Sequence, residues 1–275
     1  MKIVETELKI GIEKPFDILH AADTHITLAC EADGERKMKL AKRRAEVFPT
    51  AMQDLRDIER LCAETGLPLI HSGDLIDFTS VPNYEAGAEF IRKTDCFISV
   101  GNHEFSQYVG EAWEDDAYRA QTADKAAAMC CNDITFDSRV IGGVNFVAID
   151  NGYYLFKRSQ LEMLKKEVAK GMPVVLTFHD PLYERRLYDT MLGRGSECAY
   201  LVAVPEELMS SYSEHRFRQQ KADEPTLEAV DYMAHEPSIK AILTGHIHFD
   251  YEGVFAGRIP QIVTGCGSVR RIHIS

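Results

Sequence analysis

Phe16–His25 reads FDILHAADTH. An apolar run, Phe16 to Ala22, breaks into Asp23 and His25, two metal-capable side chains one residue apart. Such a run has the character of a buried strand, and open α/β sheets hold their ligands at the carboxyl ends of their strands. The pattern recurs four times. Leu67–Ser72 runs into Gly73, Asp74 and Asp77, and Cys96–Val100 into Gly101, Asn102 and His103. Val174–Phe178 runs into His179 and Asp180, and Ala241–Thr244 into Gly245, His246 and His248. Five apolar runs, each ending in oxygen or imidazole donors, point to one shared site.

The chain around these runs is that of an ordinary globular protein. Its 275 residues are long enough to bury a large core, with 45% hydrophobic and 27% charged side chains. Thirty-one basic against 43 acidic residues give a net charge of -12. That balance disfavours nonspecific binding to nucleic acid or anionic lipid, although bound cations can reverse the sign locally inside a cleft. No signal peptide or membrane-length apolar run is legible, and the seven cysteines are irregularly spaced without a CxxC pair. The expectation is a cytoplasmic protein with reduced thiols.

In chain order, Met1–Gly11 alternates in part and reads as an extra strand. Residues 29–50 are rich in charge, with Arg36, Lys37, Lys39, Lys42, Arg43 and Arg44; a solvated helix face is the favoured reading over a phosphate-facing patch. Thr50–Glu64 carries apolar residues at helical spacing and stops at Gly66. Returning from there to a strand at Leu67 makes a strand-helix-strand crossover, which favours parallel neighbours. Further helices are expected over Asn83–Lys93, Gly110–Met129, Ser159–Lys170 and Pro225–Ala234. Short strands are expected at Asp133–Phe136, Val140–Ile141 and Val144–Ile149, with Gly142-Gly143 as a hairpin turn. Met172–Phe178 reads as another buried strand and Val254–Ile274 as paired strands. Pro181–Asp231 shows little periodicity, and long irregular segments of this kind commonly act as lids or substrate loops.

Taken together, Asp23-x-His25, Gly73-Asp74-x-x-Asp77, Gly101-Asn102-His103-Glu104, His179 and Gly245-His246-x-His248 resemble, in that order, the motifs of calcineurin-like metallophosphoesterases. The HxH pair alone arises easily by chance in a chain with ten histidines; the ordered set does not. The resemblance implies an α/β fold in which two mixed β-sheets pack as a sandwich between flanking helices, four layers in the order αββα. It implies one domain over residues 1–275, with a lid or substrate-selecting insertion around 181–231. One metal would be held by Asp23, His25, Asp74 and His248, and a second by Asp74, Asn102, His179 and His246. Carboxylate, amide and imidazole donors without thiolate independently suit two divalent ions drawn from Mn, Fe, Ni, Co or Zn. A carboxylate can be shared between two such ions, which polarise phosphoryl oxygens and lower the pKa of a bridging water. His103 is the candidate general acid, with Asp77 orienting its imidazole.

The expected activity is hydrolysis of a phosphate monoester or diester by the metal-bridging hydroxide, on a small phosphorylated substrate. A cyclic-nucleotide or other phosphodiesterase is the alternative, and a nuclease is disfavoured by the acidic balance. A non-catalytic scaffold on the same fold would be missing ligands or His103, and none is missing here. His20, His71, His215, His235 and His273 read as packed or surface histidines, with His20 and His71 placed to support the motif loops. Asp180 and Asp250 read as polar loop residues, Glu104 as a loop brace and Phe178 as packing. Arg185, Arg186 and Arg194 are candidates for pairing with outer phosphate oxygens, against an equal reading as surface arginines.

Overall fold

Strict alternation along the central strands sends successive side chains to opposite faces, and this builds the layers. The computed structural model describes residues 1–110 and 115–275. One sheet contains β1 (Lys2–Leu8), β2 (Phe16–Ala21), β3 (Leu69–His71), β4 (Phe97–Ile98) and β11 (Ser268–Ile274), in the order β1-β11-β2-β3-β4. The other contains β5 (Phe136–Ile141), β6 (Val144–Ile149), β7 (Val174–Thr177), β8 (Ile239–Thr244), β9 (Tyr251–Phe255) and β10 (Ile259–Val263), in the order β5-β6-β7-β8-β10-β9. Both are mixed: β2, β3 and β4 run parallel, as do β6, β7, β8 and β10, while the β2–β11, β5–β6 and β9–β10 pairs are antiparallel.

The helices are α1 (Gly34–Val47), α2 (Ala51–Thr65), α3 (Val81–Thr94), α4 (Asp116–Ala120), α5 (Ala123–Met129), α6 (Arg158–Val168), α7 (Arg185–Gly193), α8 (Glu214–Gln220) and α9 (Glu224–His235). Ile18, Ile70, Phe97, Val144, Phe146, Val175, Ala241 and Leu243 fill the space between the sheets. Their chain neighbours Leu19 and Leu69 point the other way, onto Leu55 and Ile58 of α2 and Phe90 and Ile91 of α3. On the far side Val147, Val174, Leu176 and Ile242 meet Leu161 and Leu164 of α6 and Ala229 and Met233 of α9. The α/β sandwich of two mixed sheets between helices is therefore the expected one, with a period of two written into each strand.

Four details differ from the reading of the sequence. The expected helix Gly110–Met129 is two short helices, α4 and α5, broken at Gln121 and Thr122, and its residues 111–114 lie outside the described residues. Asp133–Phe136 is not a separate strand; its last residue opens β5, which continues to Ile141 and turns at Gly142-Gly143 into β6. The final strands do not form one ladder. β9 and β10 pair with each other, whereas β11 crosses to the other sheet between β1 and β2. Nor is the 181–231 segment irregular. It holds α7, a 3-10 turn at Glu206–Met209 and α8, and its Leu187, Met191, Ala199, Leu201, Met209 and Tyr212 form a small core together with Ile247 and Val263. Helices this short offer too few turns for a period to declare itself.

No helix among the described residues is long and apolar enough to cross a membrane. The cysteines are free.

Candidate metal centre

β2, β3 and β4 of one sheet and β7 and β8 of the other end at the same edge of the sandwich, so the five motif loops converge there. A buried polar seam ties the two sheets together beneath them. Ser72 Oγ lies 2.8 Å from His20 Nε2 and 2.9 Å from Thr177 Oγ1, and His20 Nδ1 lies 2.7 Å from Thr264 Oγ1. His71 Nε2 reaches Thr24 Oγ1 at 3.0 Å. Both histidines thus support the loops from below, and burial pushes the His71 imidazole down to about 3.

At the loops the backbone itself is unusual. Asp23, His25, Asp74, His246 and His248 all adopt positive φ, between 53° and 71°. Left-handed backbone is uncommon for non-glycine residues, and its concentration at five candidate ligands is the kind of local strain functional sites store. Close approach does the rest. A Cβ on Gly73 would lie 2.5 Å from Gly101 N and 2.8 Å from His179 Nδ1, and one on Gly101 would collide with Asp74 Oδ1. Glu104 braces the same loops: its carboxylate accepts from the backbone N–H groups of Asp74 (3.0 Å), Leu75 (2.7 Å) and Gly101 (2.6 Å).

Six of the seven side chains expected to bind metal meet in this space, and the seventh, Asn102, lines the same cavity as Asp74, His246 and His248. His25 Nε2 lies 3.0 Å from His248 Nε2, 3.8 Å from Asp74 Oδ2 and 3.9 Å from Asp23 Oδ1. His179 Nε2 lies 3.0 Å from Asp74 Oδ2 and 3.1 Å from His246 Nδ1. Two donor groups result, Asp23, His25, Asp74 and His248 on one side and Asp74, His179 and His246 on the other, sharing Asp74. Asn102 Oδ1 is buried without a hydrogen-bond partner, and so is Asp23 Oδ2.

The outer nitrogens of the rings fix what the inner ones present. His179 Nδ1 must donate to the Ser72 carbonyl, 2.7 Å away. His25 Nδ1 donates to the Asp77 carboxylate at 3.0 Å. Each Nε2 therefore faces inward, as a lone pair when the ring is neutral, which is the arrangement metal-binding histidines require. Burial pushes the Asp23 carboxyl up to about 8, with Asp74 adding to the effect. Burial works against a charged His179, yet the adjoining Asp74 outweighs it and holds the imidazole well above its usual range. Without a cation, a proton on His179 balances Asp74; a divalent ion would replace that proton. Orphaned oxygens, inward lone pairs and an uncompensated carboxyl all fit two borderline divalent cations.

His103 stands at the edge of this cluster, with Nδ1 donating to the Asp77 carbonyl at 2.6 Å and Nε2 4.0 Å from Asp74 Oδ2. Asp77 thus orients His103 mainly through its backbone oxygen, the carboxylate lying 3.4 Å away. That carboxylate is occupied with His25 and with Arg44, whose Nε and Nη2 donate at 2.6 and 2.8 Å. Burial would raise the Asp77 pKa, but Arg44 and His25 reverse this and hold the carboxyl well below its usual range. Phe48 at the end of α1 stacks on the His25 ring at 4.1 Å.

The charged stretch 29–50 therefore has two faces. Lys39, Lys42 and Arg43 are exposed as expected, while Arg44 reaches into the site and the Lys37 ammonium donates to the Thr79 carbonyl. A run of similar charges does not reveal which member points inward.

A cavity of about 670 Å³ opens over the cluster, lined among others by His103, Tyr154, Tyr200, His215, Arg216 and His248. Arg185, Arg186 and Arg194 are not part of its wall. Arg185 pairs with Asp189, Arg186 with Tyr251, and Arg194 lies over the Phe249 ring. The arginine of the cavity is Arg216, held by Glu197 at 2.7 Å and by Gln219 at 2.7 Å. His215, read from sequence as a packed or surface histidine, is exposed and shares that wall. Asp180 is likewise more than a loop residue, being buried beside His246. Asp250 is a structural brace, accepting from Lys2, Ser268 and the Gly265 N–H. Phe178 packs edge-on to Phe156 as expected.

A family model for calcineurin-like phosphoesterases matches residues 16–250. No curated protein matches the chain. Among solved structures, a dimetal phosphatase from Danio rerio superposes with a TM-score of 0.52 at 14% identity, covering 92% of this chain and 88% of that one. The phosphopantetheinyl hydrolase of Mycobacterium tuberculosis gives a TM-score of 0.42 at 12% identity, over 95% of this chain and 90% of that one. A 5'-nucleotidase from Candida albicans gives 0.40 at 14% identity, over 91% and 46%. At these identities the likeness to the first shows the fold alone.

Proposed function

Because the chain belongs to the calcineurin-like phosphoesterase family, we propose that it is a hydrolase of small phosphate monoesters or diesters that works with two divalent cations. The observation that carries this reading is the convergence of Asp23, His25, Asp74 and His248 with His179 and His246 around one shared carboxylate. Asn102, which lines the cavity over this cluster, keeps a buried Oδ1 without a hydrogen-bond partner. Asp23, His25, Asp74 and His248 would hold one cation; Asp74, Asn102, His179 and His246 would hold the other. Bound there, the pair would supply water activation, Lewis-acid polarisation and stabilisation of the charge that builds on the phosphoryl oxygens.

The chain's own groups do the rest. The Asp77 carbonyl accepts a hydrogen bond from His103 Nδ1–H, which leaves Nε2 turned toward the cavity as the site from which a proton passes to the leaving oxygen. Ionised Asp77 keeps His25 in the tautomer that offers Nε2 inward. Tyr154 Oη, 2.8 Å from His246 Nε2, restrains the ring whose Nδ1 faces the cluster. The 181–231 segment brings Tyr200, His215 and Arg216 to the cavity wall, where substrate selection would lie. The volume suits a small molecule rather than a folded nucleic acid, in keeping with the net charge of -12.

The test is hydrolysis of an aryl phosphate and a bis-aryl phosphate by chelator-treated protein to which Mn, Fe, Co, Ni or Zn is returned. Turnover that depends on the returned ion is expected. A flat trace with every ion and both ester types would refute the proposal and favour a non-catalytic scaffold.

A further inference from the structure

We propose that Asp180 is an eighth donor of the site and completes the second cation position; this rests on the two-cation reading above. Asp180 is 1% exposed. Its Oδ2 accepts the Tyr154 N–H at 3.0 Å, and its backbone N–H and carbonyl are both held by the Asn151 side chain. These contacts fix the carboxylate so that Oδ1 lies 3.3 Å from His246 Nδ1, in the wall of the cavity. That oxygen has no hydrogen-bond partner. A buried, anchored carboxylate oxygen without a donor is costly unless a cation or a proton meets it.

Charge distribution supports the same assignment. The first donor group has Asp23 to itself and shares Asp74, whereas the second, with neutral Asn102, His179 and His246, has only the shared carboxylate. Asp180 restores the balance. Three carboxylates against two divalent cations leave one positive charge, enough to attract a phosphate without trapping it as strongly as a doubly charged centre would. His246 fits too: in the tautomer whose Nε2–H is donated to Tyr154 Oη, 2.8 Å away, Nδ1 offers a lone pair on the side where Asp180 Oδ1 lies 3.3 Å from it.

The experiment is calorimetric titration of Mn into chelator-stripped full-length protein, wild type beside Asp180→Asn and Tyr154→Phe. The asparagine variant keeps one oxygen for the Tyr154 N–H, which turns its NH2 toward His246. Two binding steps are expected in wild type. In Asp180→Asn one step weakens at least thirtyfold and the other stays within threefold, while Tyr154→Phe, which disturbs only the outer partner of His246, loses less. Both steps within threefold of wild type in Asp180→Asn would overturn the assignment. No uptake by wild type would instead overturn the two-cation reading itself. Melting in chelator checks folding; should Asp180→Asn melt early, Asp180→Glu decides, retention of two steps supporting the assignment and loss of one overturning it.

Discussion

Replacing Arg44 by Met removes two hydrogen bonds of 2.6 and 2.8 Å from a carboxylate that has no exposure of its own. Asp77 would be left buried with His25 as its remaining ring partner and His103 at 3.4 Å. Removing one member of a buried ion pair costs about 3–5 kcal/mol, and the 17% exposure of the Arg44 side chain places this case near the lower end. With about 2–4 °C of melting temperature per kcal/mol for a chain approaching this size, the expected drop is roughly 6–12 °C. Arg43→Met, one residue away on the exposed face, should stay within about 0.5 kcal/mol. Arg44→Lys keeps the charge but not the fork and should fall between them. Because Asp77 also orients His25, Mn affinity should fall about 10–100-fold in Arg44→Met. The assays are thermal melting in chelator and calorimetric Mn titration. Equal melting of Arg44→Met and Arg43→Met, with unchanged affinity, would refute the chain of contacts from α1 through Asp77 to His25.

Three further outcomes are expected. His103→Ala and His103→Asn should lose about 10²–10⁴-fold in kcat while keeping cation affinity within threefold; unchanged turnover would remove His103 from the chemistry. Cation uptake should release protons, since Asp23, pushed up by burial to about 8, and His179, also raised, must both give up a proton to accept an ion. Affinity should therefore fall at least tenfold per pH unit on going down from pH 8, and calorimetry in buffers of different ionisation enthalpy would count the protons; an affinity flat between pH 8 and 6 would contradict it. Gly101→Ala forces a Cβ onto Asp74 Oδ1 and to 2.8 Å from His179 Cδ2. It should cost about 1–3 kcal/mol and a cation, whereas Gly193→Ala, with nothing within 4 Å, should be near neutral in the same melting and titration experiments.

The layers and the loops were legible in the linear chain for the same reason. A strand buried on both faces needs an unbroken apolar run, so Phe16–Ala22 and its four counterparts declare themselves, and the polar residues that end each run mark where it leaves the core. The helices over Ala51–Thr65 and Arg158–Val168 were equally readable, because one apolar stripe at a period of 3.6 residues suffices to dock them. The segment between Pro181 and Asp231 was not: its helices are short, and its core is assembled from turns as well as helices.

Residue types and order along the chain determined which side chains are candidate donors, since the chemistry of carboxylate, amide and imidazole belongs to the side chain wherever it sits. Direction was decided only by the fold. Which arginine of a basic run turns inward to Asp77, which aspartate after a histidine keeps an oxygen bare, and which arginine of the 181–231 segment reaches the cavity depend on contacts between residues tens to hundreds of positions apart. Arg44 meets Asp77 across the sheet edge, and Arg216, not Arg185, is carried by α8 over the cluster. Those pairings are set by how β2 to β4 and β7 to β8 stack into one edge, a geometry no local pattern encodes.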